Sequence, residues 1–302
     1  MTGRVLTPPE TVRRIVYLGT PEASVPPLRA LHEAGFEIPL VITRADTRRR
    51  RRGSAEPSPV KAAAVELGLE VSHDIDDSLT VSADLGVVVA FGRIIKPHVL
   101  DALAMVNIHF SLLPRWRGAA PVEHAVLAGD PTTGVCLMEV AEGLDTGGVY
   151  RQVETAIDSN ETAAELRDRL VVMGSALLVG ALGEGLGEAV PQVGEPVYAA
   201  KITTVDLALH WERSAIELQR VIRIGNAHTE FRGARFKVWA ATPAEGDAPV
   251  PPGRIVEGER VRVATGSGWL ELTEVQPAGK PRMAAGAWAN GAQLSIDDRL
   301  GP

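Results

Sequence analysis

Six short apolar runs, separated by stretches of helical pattern, constrain this chain more than any other feature of its sequence. "RRIVYLGT" (13–20) is rich in β-branched residues and closes at Gly19, so it reads as a buried strand. "PEASVPPLRALHEAG" then carries a helical period through Leu28 and Leu31 and stops at Gly35. "EIPLVIT" (37–43) is a second strand, "SPVKAAAVELG" (58–68) a helix, and "ADLGVVVAFG" (83–92) a third strand. "KPHVLDALA" (96–104) is expected to be helical, "MVNIHF" (105–110) a strand and "AAPVEHAVLAGD" (119–130) a helix. Strands over 132–140 and 147–157, the second expected to be antiparallel, precede a long amphipathic helix over 160–185. Such alternation predicts a doubly wound, mostly parallel, Rossmann-like α/β sheet.

The pattern changes near residue 205. A helix predicted over 203–225 leads into the short runs "ARFKVWAAT", "GRIVEGERVRVAT" and "GWLELTEVQPAG", punctuated by Gly and Pro. These read as a small β-barrel. The expected division is a flexible extension (1–12), an α/β domain (13–188), a Pro/Gly-rich linker (189–202) and a barrel domain (203–302).

The N-terminal "MTGRVLTPPETVRR" has no apolar core of a signal peptide, and no apolar run is long enough for a membrane span. A single cysteine excludes an internal disulfide and suits a reducing cytoplasm. Lys plus Arg is 31 and Asp plus Glu 38, a net charge of 31 − 38 = −7, so the chain as a whole is no general polyanion binder. Against that balance stand Arg48, Arg49, Arg50, Arg51 and Arg52, with Arg44 just before them. Like charges packed so closely repel one another, and a phosphate backbone would relieve that repulsion.

Several common chemistries lack their signatures. The first strand–helix turn, "YLGTPEAS", has one glycine and a proline, so it is not a dinucleotide fingerprint. Phosphate-loop and nucleophile-elbow motifs are absent, and the seven histidines show no metal-binding spacing. Cys136 lies within an apolar run and reads as core.

The stretch "VNIHFSLLPRWRGAAPVEHAV" (106–126) is another matter. Asn107 and His109 are two apart, so on a strand both face one side. They stand at the strand's carboxyl end, where open α/β sheets build their sites. Asp145, in the glycine-flanked "EGLDTGG" (142–148), is positioned to reach the same edge. An amide can donate to a developing oxyanion, an imidazole can share that task and move protons, and a carboxylate can orient the imidazole. Ser111 lacks elbow glycines and is not read as a nucleophile.

"NIHFSLLPRWRGAAP" together with "GLDTG" resembles the folate-dependent formyltransferases. The likeness runs from "RIVYLGTPEAS" through "SPVKAAAVELGLEV", "VVVAFGRIIKPHVL" and "VYAAKIT" to "LELTEVQPAGKPRM", about residues 13 to 290. It implies an OB-like fold for the C-terminal barrel and a catalytic trio of Asn107, His109 and Asp145. It implies that Ser111, Leu112, Leu113 and Pro114 form a tetrahydrofolate-binding loop and that Phe91, Gly92, Arg93 and Ile94 line the pterin pocket. The formyl donor would be 10-formyltetrahydrofolate and the acceptor the α-amino group of initiator methionyl-tRNA, with no metal. The arginine segment, 44 to 53, would engage the acceptor end of the tRNA, and the barrel would lie along it. A cytoplasmic monomer is expected. The segment "IGNAHTEFRGARF" (224–236) departs from the Pro/Gly-rich "NPWPGA"-like stretch common in the family, which bears on how the barrel meets the tRNA. Rival readings are a formyltransferase acting on a nucleotide-linked amino sugar, a hydrolase of formylfolate, and a non-catalytic RNA-binding relative.

Overall fold

The computed structural model describes residues 6–47, 55–246 and 248–301. The α/β part opens with β1 (Arg14–Gly19), α1 (Val25–Glu33), β2 (Glu37–Ile42), α2 (Pro59–Glu66), β3 (Val71–Ser72) and β4 (Leu85–Val89). It continues with α3 (Pro97–Leu100), β5 (Met105–His109), β6 (Arg117–Gly118) and α4 (Pro121–Ala128). Next come β7 (Thr132–Glu139), β8 (Val149–Ala156), the 22-residue α5 (Ala163–Glu184) and β9 (Tyr198–Ala199).

Seven of these strands make one sheet in the order β3-β2-β1-β4-β5-β7-β8. The pairings from β3 to β5 are parallel, and β7 and β8 are antiparallel. The sheet is therefore mostly parallel and doubly wound, with an antiparallel edge. Val16, Leu18, Leu40, Ile42, Val88 and Met105 belong to one contiguous apolar cluster over β1, β2, β4 and β5. Strands buried on both faces must be apolar throughout, which is why β1 and β4 read as continuous runs. The edge strand β8 instead alternates half-buried and exposed positions over most of its length.

From β1 the chain winds outward through β2 and β3, then returns to the other side of β1 for β4 and β5. That reversal opens a crevice beyond the carboxyl ends of β1 and β4, where ligands of such sheets bind. Two hydroxyls tie its walls. Ser24 Oγ donates to the Val89 carbonyl at 2.7 Å, and Thr20 Oγ1 to the Phe91 carbonyl at 3.1 Å.

The C-terminal part contains α6 (Ala215–Ile224), β10 (His228–Phe231), β11 (Ala234–Ala244), β12 (Ile255–Glu257), β13 (Val261–Ala264), β14 (Trp269–Pro277), β15 (Met283–Ala284) and α7 (Ala285–Ala292). Its six strands pair antiparallel in the order β10-β11-β14-β13-β12, with β15 on β14, an OB-like half-barrel. The β10–β11 hairpin turns through Arg232 (φ 49°) and Gly233 (φ 74°), both left-handed, as a two-residue hairpin with matching twist requires. Trp211, Leu218, Ile222, Phe236, Val238, Leu270 and Trp288 fill the core. Phe231 meets Trp288 edge-on at 5.1 Å between centroids.

The helix expected over 203–225 is broken. A 3-10 turn at Val205–Leu207 is followed by extended chain, and α6 begins only after Ser214. The reason lies in Leu209 and Trp211, two apart as suits extended chain, whose side chains are both taken by the barrel core. Leu209 N–H pairs with the His228 carbonyl at 2.8 Å, and Trp211 Nε1 donates to Thr229 Oγ1 at 3.1 Å. Ser214 and Glu217 then form a capping box that restarts the helix. The run "GRIVEGERVRVAT" is a hairpin of two strands rather than one, and the helix expected over 96–104 shrinks to Pro97–Leu100.

By compactness the chain divides into two units. One runs through Val122 and adds Thr132–Ala156 and Leu166–Ala200; the other takes Glu123–Pro131, Ile157–Glu165 and everything from Lys201. Arg223 on α6 anchors part of the second unit, donating to the Glu161 and Asp158 carbonyls at 2.7 Å each. Among the described residues no helix is long and apolar enough to cross a membrane.

Candidate active site

The polar pair that the sequence singles out stands on β5. Asn107 and His109 alternate with the buried Val106 and Ile108, so amide and imidazole share a face. The opposite face is covered by α5, where Gly174 lies against Ile108. Asn107 pairs with Val88 on one side and Met138 on the other, and His109 with Cys136. The two side chains thus project from the middle of a sheet whose backbone leaves them little freedom.

His109 is buried, and both ring nitrogens meet acceptors. Nε2 is 3.0 Å from the Trp116 carbonyl, so the hydrogen bond requires an Nε2–H. Nδ1 lies 3.7 Å from Asp145 Oδ2, long for a hydrogen bond, so the carboxylate attracts the ring only when the imidazole is protonated. That same Oδ2 accepts the Gly118 backbone N–H at 2.7 Å. Asp145 sits at φ 50°, a left-handed conformation uncommon for a residue with a side chain. The structure therefore brings His109 and Asp145 together, as the sequence predicts. No hydrogen bond to the Asn107 carboxamide is found among the described residues, and the group is only partly buried.

The strand β6 organises this constellation. Trp116, at its edge and also left-handed (φ 63°), offers the carbonyl to His109. Gly118 offers its N–H to Asp145. Arg117, between them, directs Nε and Nη2 to Gln192 Oε1 at 3.0 and 2.6 Å. β6 is itself held by β9, with Arg117 N–H to the Val197 carbonyl at 2.8 Å and Ala119 N–H to the Ala199 carbonyl at 2.9 Å. Gln192 comes from the segment read as a linker, where nothing in the local pattern singles out one amide.

The loop from Ser111 to Pro114 follows directly. Ser111 is fully buried, and its hydroxyl donates to the Arg115 carbonyl at 2.6 Å, which ties the loop to itself. Leu113 N–H points at Cys136 Sγ, 3.5 Å away, and Leu113, Cys136 and Met138 form a small apolar cluster. Burial pushes the Cys136 thiol up to about 11. The Leu113–Pro114 peptide is cis.

Phe91 to Ile94 leave the carboxyl end of β4, the parallel neighbour of β5. Phe91 is buried, Ile94 is 89% exposed, and the backbone turns through left-handed Ala90 (φ 43°) and Gly92 (φ 73°). Arg93 reaches back to the His73 carbonyl at 2.9 Å, its guanidinium 5.4 Å from the Phe91 ring centre.

Of the arginine segment, Arg48 to Arg52 lie outside the described residues. Arg44 donates to Thr47 Oγ1 at 2.5 Å. Thr47 and Glu56 pair across the segment by two backbone hydrogen bonds, of 3.2 and 3.0 Å. Among the described residues no cluster of three or more His, Cys, Asp or Glu is arranged to hold a metal.

Residues 13–182 match the formyl transferase family and 201–293 its C-terminal domain. A methionyl-tRNA formyltransferase of Clavibacter sepedonicus is 42% identical over 295 residues, covering 92% of this chain and 97% of that protein. Another, of Leifsonia xyli, is 43% identical over 296 residues with the same coverage. An N-formyltransferase of Helicobacter canadensis, solved with folinic acid and dTDP-3-aminofucose, shares the fold (TM-score 0.66, 16% identity) over 88% of this chain and 100% of its own. With both domains matched in order and relatives alike along nearly their whole length, the chain belongs to the formyl transferase family, enzymes that move a one-carbon group.

Proposed function

We propose that this protein transfers the formyl group of 10-formyltetrahydrofolate to the α-amino group of initiator methionyl-tRNA, as a cytoplasmic monomer. The observation that carries the reading is the His109–Asp145 approach of 3.7 Å, on the strand face that also carries Asn107. The relatives at 42% and 43% identity, both methionyl-tRNA formyltransferases, favour the tRNA acceptor over an amino sugar.

The crevice beyond β1 and β4 suits a flat heterocycle. Phe91 supplies a buried ring beside it, and the exposed, left-handed Ala90 and Gly92 turn the chain next to that ring. The bound folate supplies an activated formamide whose C–N bond breaks after the amine has added to the formyl carbon. Asn107, with its carboxamide uncommitted, donates to the oxyanion that develops when the amine adds to the formyl carbon. The N–H that His109 gives to the Trp116 carbonyl is the second donor, exchanging that carbonyl for the oxyanion. One such donor contributes about 3 kcal/mol to the transition state. Asp145 keeps the imidazole oriented and helps remove the proton that the attacking amine releases. The departing folate nitrogen takes up a proton, so charge and atoms balance. The segment 44 to 53 offers Arg44 and Arg48 to Arg52 to the phosphates of the acceptor stem.

Formyl transfer is tested by incubating the protein and 10-formyltetrahydrofolate with methionyl-tRNA, with an amino-sugar nucleotide, or with no acceptor, while following tetrahydrofolate release. Release should require methionyl-tRNA; release with the sugar alone, or with no acceptor, would overturn the assignment. Full activity of His109→Ala would remove the imidazole from the mechanism. An alanine block over Arg48–Arg52 should weaken tRNA binding and flatten its dependence on salt.

A further inference from the structure

We propose that Gln192 is a positioning residue for the formyl transfer, an inference that rests on the function proposed above. Its side chain makes four contacts. Nε2 donates to the carbonyls of Asp145 and Gly147, at 2.8 Å each. Oε1 accepts from Arg117 Nε at 3.0 Å and Nη2 at 2.6 Å. A carboxamide has two hydrogens to give and two lone pairs to offer, so every one of its valences is spent. The partners also fix which end is which: a guanidinium only donates and a carbonyl only accepts, so the amide cannot be turned round.

The four contacts close a ring of interactions. Asp145 is gripped at both ends, its carboxylate by the Gly118 N–H and its carbonyl by Gln192. Gly118 and Arg117 are neighbours, and Arg117 grips the other end of Gln192. The Asp145 loop and β6 are thereby locked in register. Trp116, at the start of the same short stretch, holds His109. Movement of the loop would change the distance from Asp145 to the imidazole without moving the imidazole itself.

Gln192 reaches into this ring from anchored backbone. Val190 and Val149 exchange two hydrogen bonds, of 2.8 and 2.9 Å, on one side of it. On the other, Val197 N–H donates to the Pro114 carbonyl at 3.2 Å, and its carbonyl accepts from Arg117. The left-handed backbone of Asp145 needs such restraint from outside, since a residue with a Cβ does not favour it. Gln192 need not touch substrate to do this work. It acts through Asp145.

The test separates hydrogen-bond donation from filling of space. Gln192→Glu keeps the shape and the acceptor for Arg117 but cannot donate to the two carbonyls; Gln192→Ala removes both. Both variants should lower kcat about 10- to 100-fold, the effect of a displacement near 1 Å in a catalytic group. KM for methionyl-tRNA should stay within about twofold, because no binding contact is lost. Exchange of the Gly118 amide proton, followed by NMR, should quicken about 10-fold in both as its grip on Asp145 loosens. Wild-type kcat in Gln192→Glu, a KM rise that matches the fall in kcat, or unchanged Gly118 exchange would each overturn the proposal. If the wild-type protein itself transfers no formyl group to methionyl-tRNA, the functional reading fails instead, and the Gly118 exchange alone then decides whether Gln192 holds the loop.

Discussion

The Gly118 backbone N–H donates to Asp145 Oδ2 at 2.7 Å, while the same oxygen lies 3.7 Å from His109 Nδ1. One carboxylate oxygen thus serves a fixed backbone donor and an imidazole at once. The backbone bond places the charge, and the charge acts on the ring. Asp145→Asn keeps an oxygen for Gly118 and removes the charge beside His109. Turnover should fall roughly 100- to 10,000-fold, the range for a positioned acid or base. Thermal unfolding should move by no more than roughly 3 °C, since the backbone contact survives. Steady-state kinetics beside a melting curve check both halves.

Gly134 on β7 leaves the space in which the Leu112 side chain packs against the strand. A Cβ there would overlap the Val153 carbonyl oxygen and lie 2.6 Å from Leu112 Cδ2. Gly134→Ala should therefore destabilise the protein by about 1–3 kcal/mol, the usual effect of overpacking. It should also displace the loop assigned to folate, raising KM for the donor. Urea unfolding measures the first effect and donor titration the second.

Cys136 is fully buried behind Leu113, and its thiol is pushed up to about 11. At pH 8 its thiolate should be about 100-fold scarcer than that of an exposed cysteine. Iodoacetamide should leave the native protein unmodified over hours and label it rapidly in guanidinium chloride. Fast labelling of the native state would show that the Leu113–Met138 cluster opens.

In the barrel unit, the hydrogen bonds from the Arg232 guanidinium, together with the Ser295 N–H, bring the Asp298 carboxyl down to about 2. An unfolded aspartate titrates near ~3.9, so the folded state binds fewer protons between the two values. The stabilisation is complete above about pH 4 and is lost as pH falls toward 2. Asp298→Asn should lower stability at pH 6 and narrow the gap between the variant and wild type at pH 2.5. Denaturant midpoints across that range measure it.

The chain announced part of this site and concealed the rest for identifiable reasons. Asn107 and His109 were legible because a two-residue spacing on a strand has one geometric meaning. Asp145 was legible because glycines flank it. Gln192 was not, since its segment has no periodicity and its partners come from two distant loops. The broken helix before the barrel shows the opposite failure. Leu209 and Trp211 stand two apart, the spacing of extended chain rather than of a helical face, and the barrel core takes both, while Ser214 and Glu217 mark the true start of the helix. Arg117 and Gly118 stood in plain view in the motif, but their service to Asp145 and Gln192 depends on tertiary structure alone.

The pairing of Thr47 with Glu56 brings the chain back on itself after the end of β2. The two flanks are held together by their own hydrogen bonds, so a segment inserted between them pays only for closure. Lengthening such an insertion costs little, since closure entropy grows only with the logarithm of its length. A change of length between Thr47 and Glu56 is therefore expected to leave Asn107 and His109 on β5 with their aim unchanged.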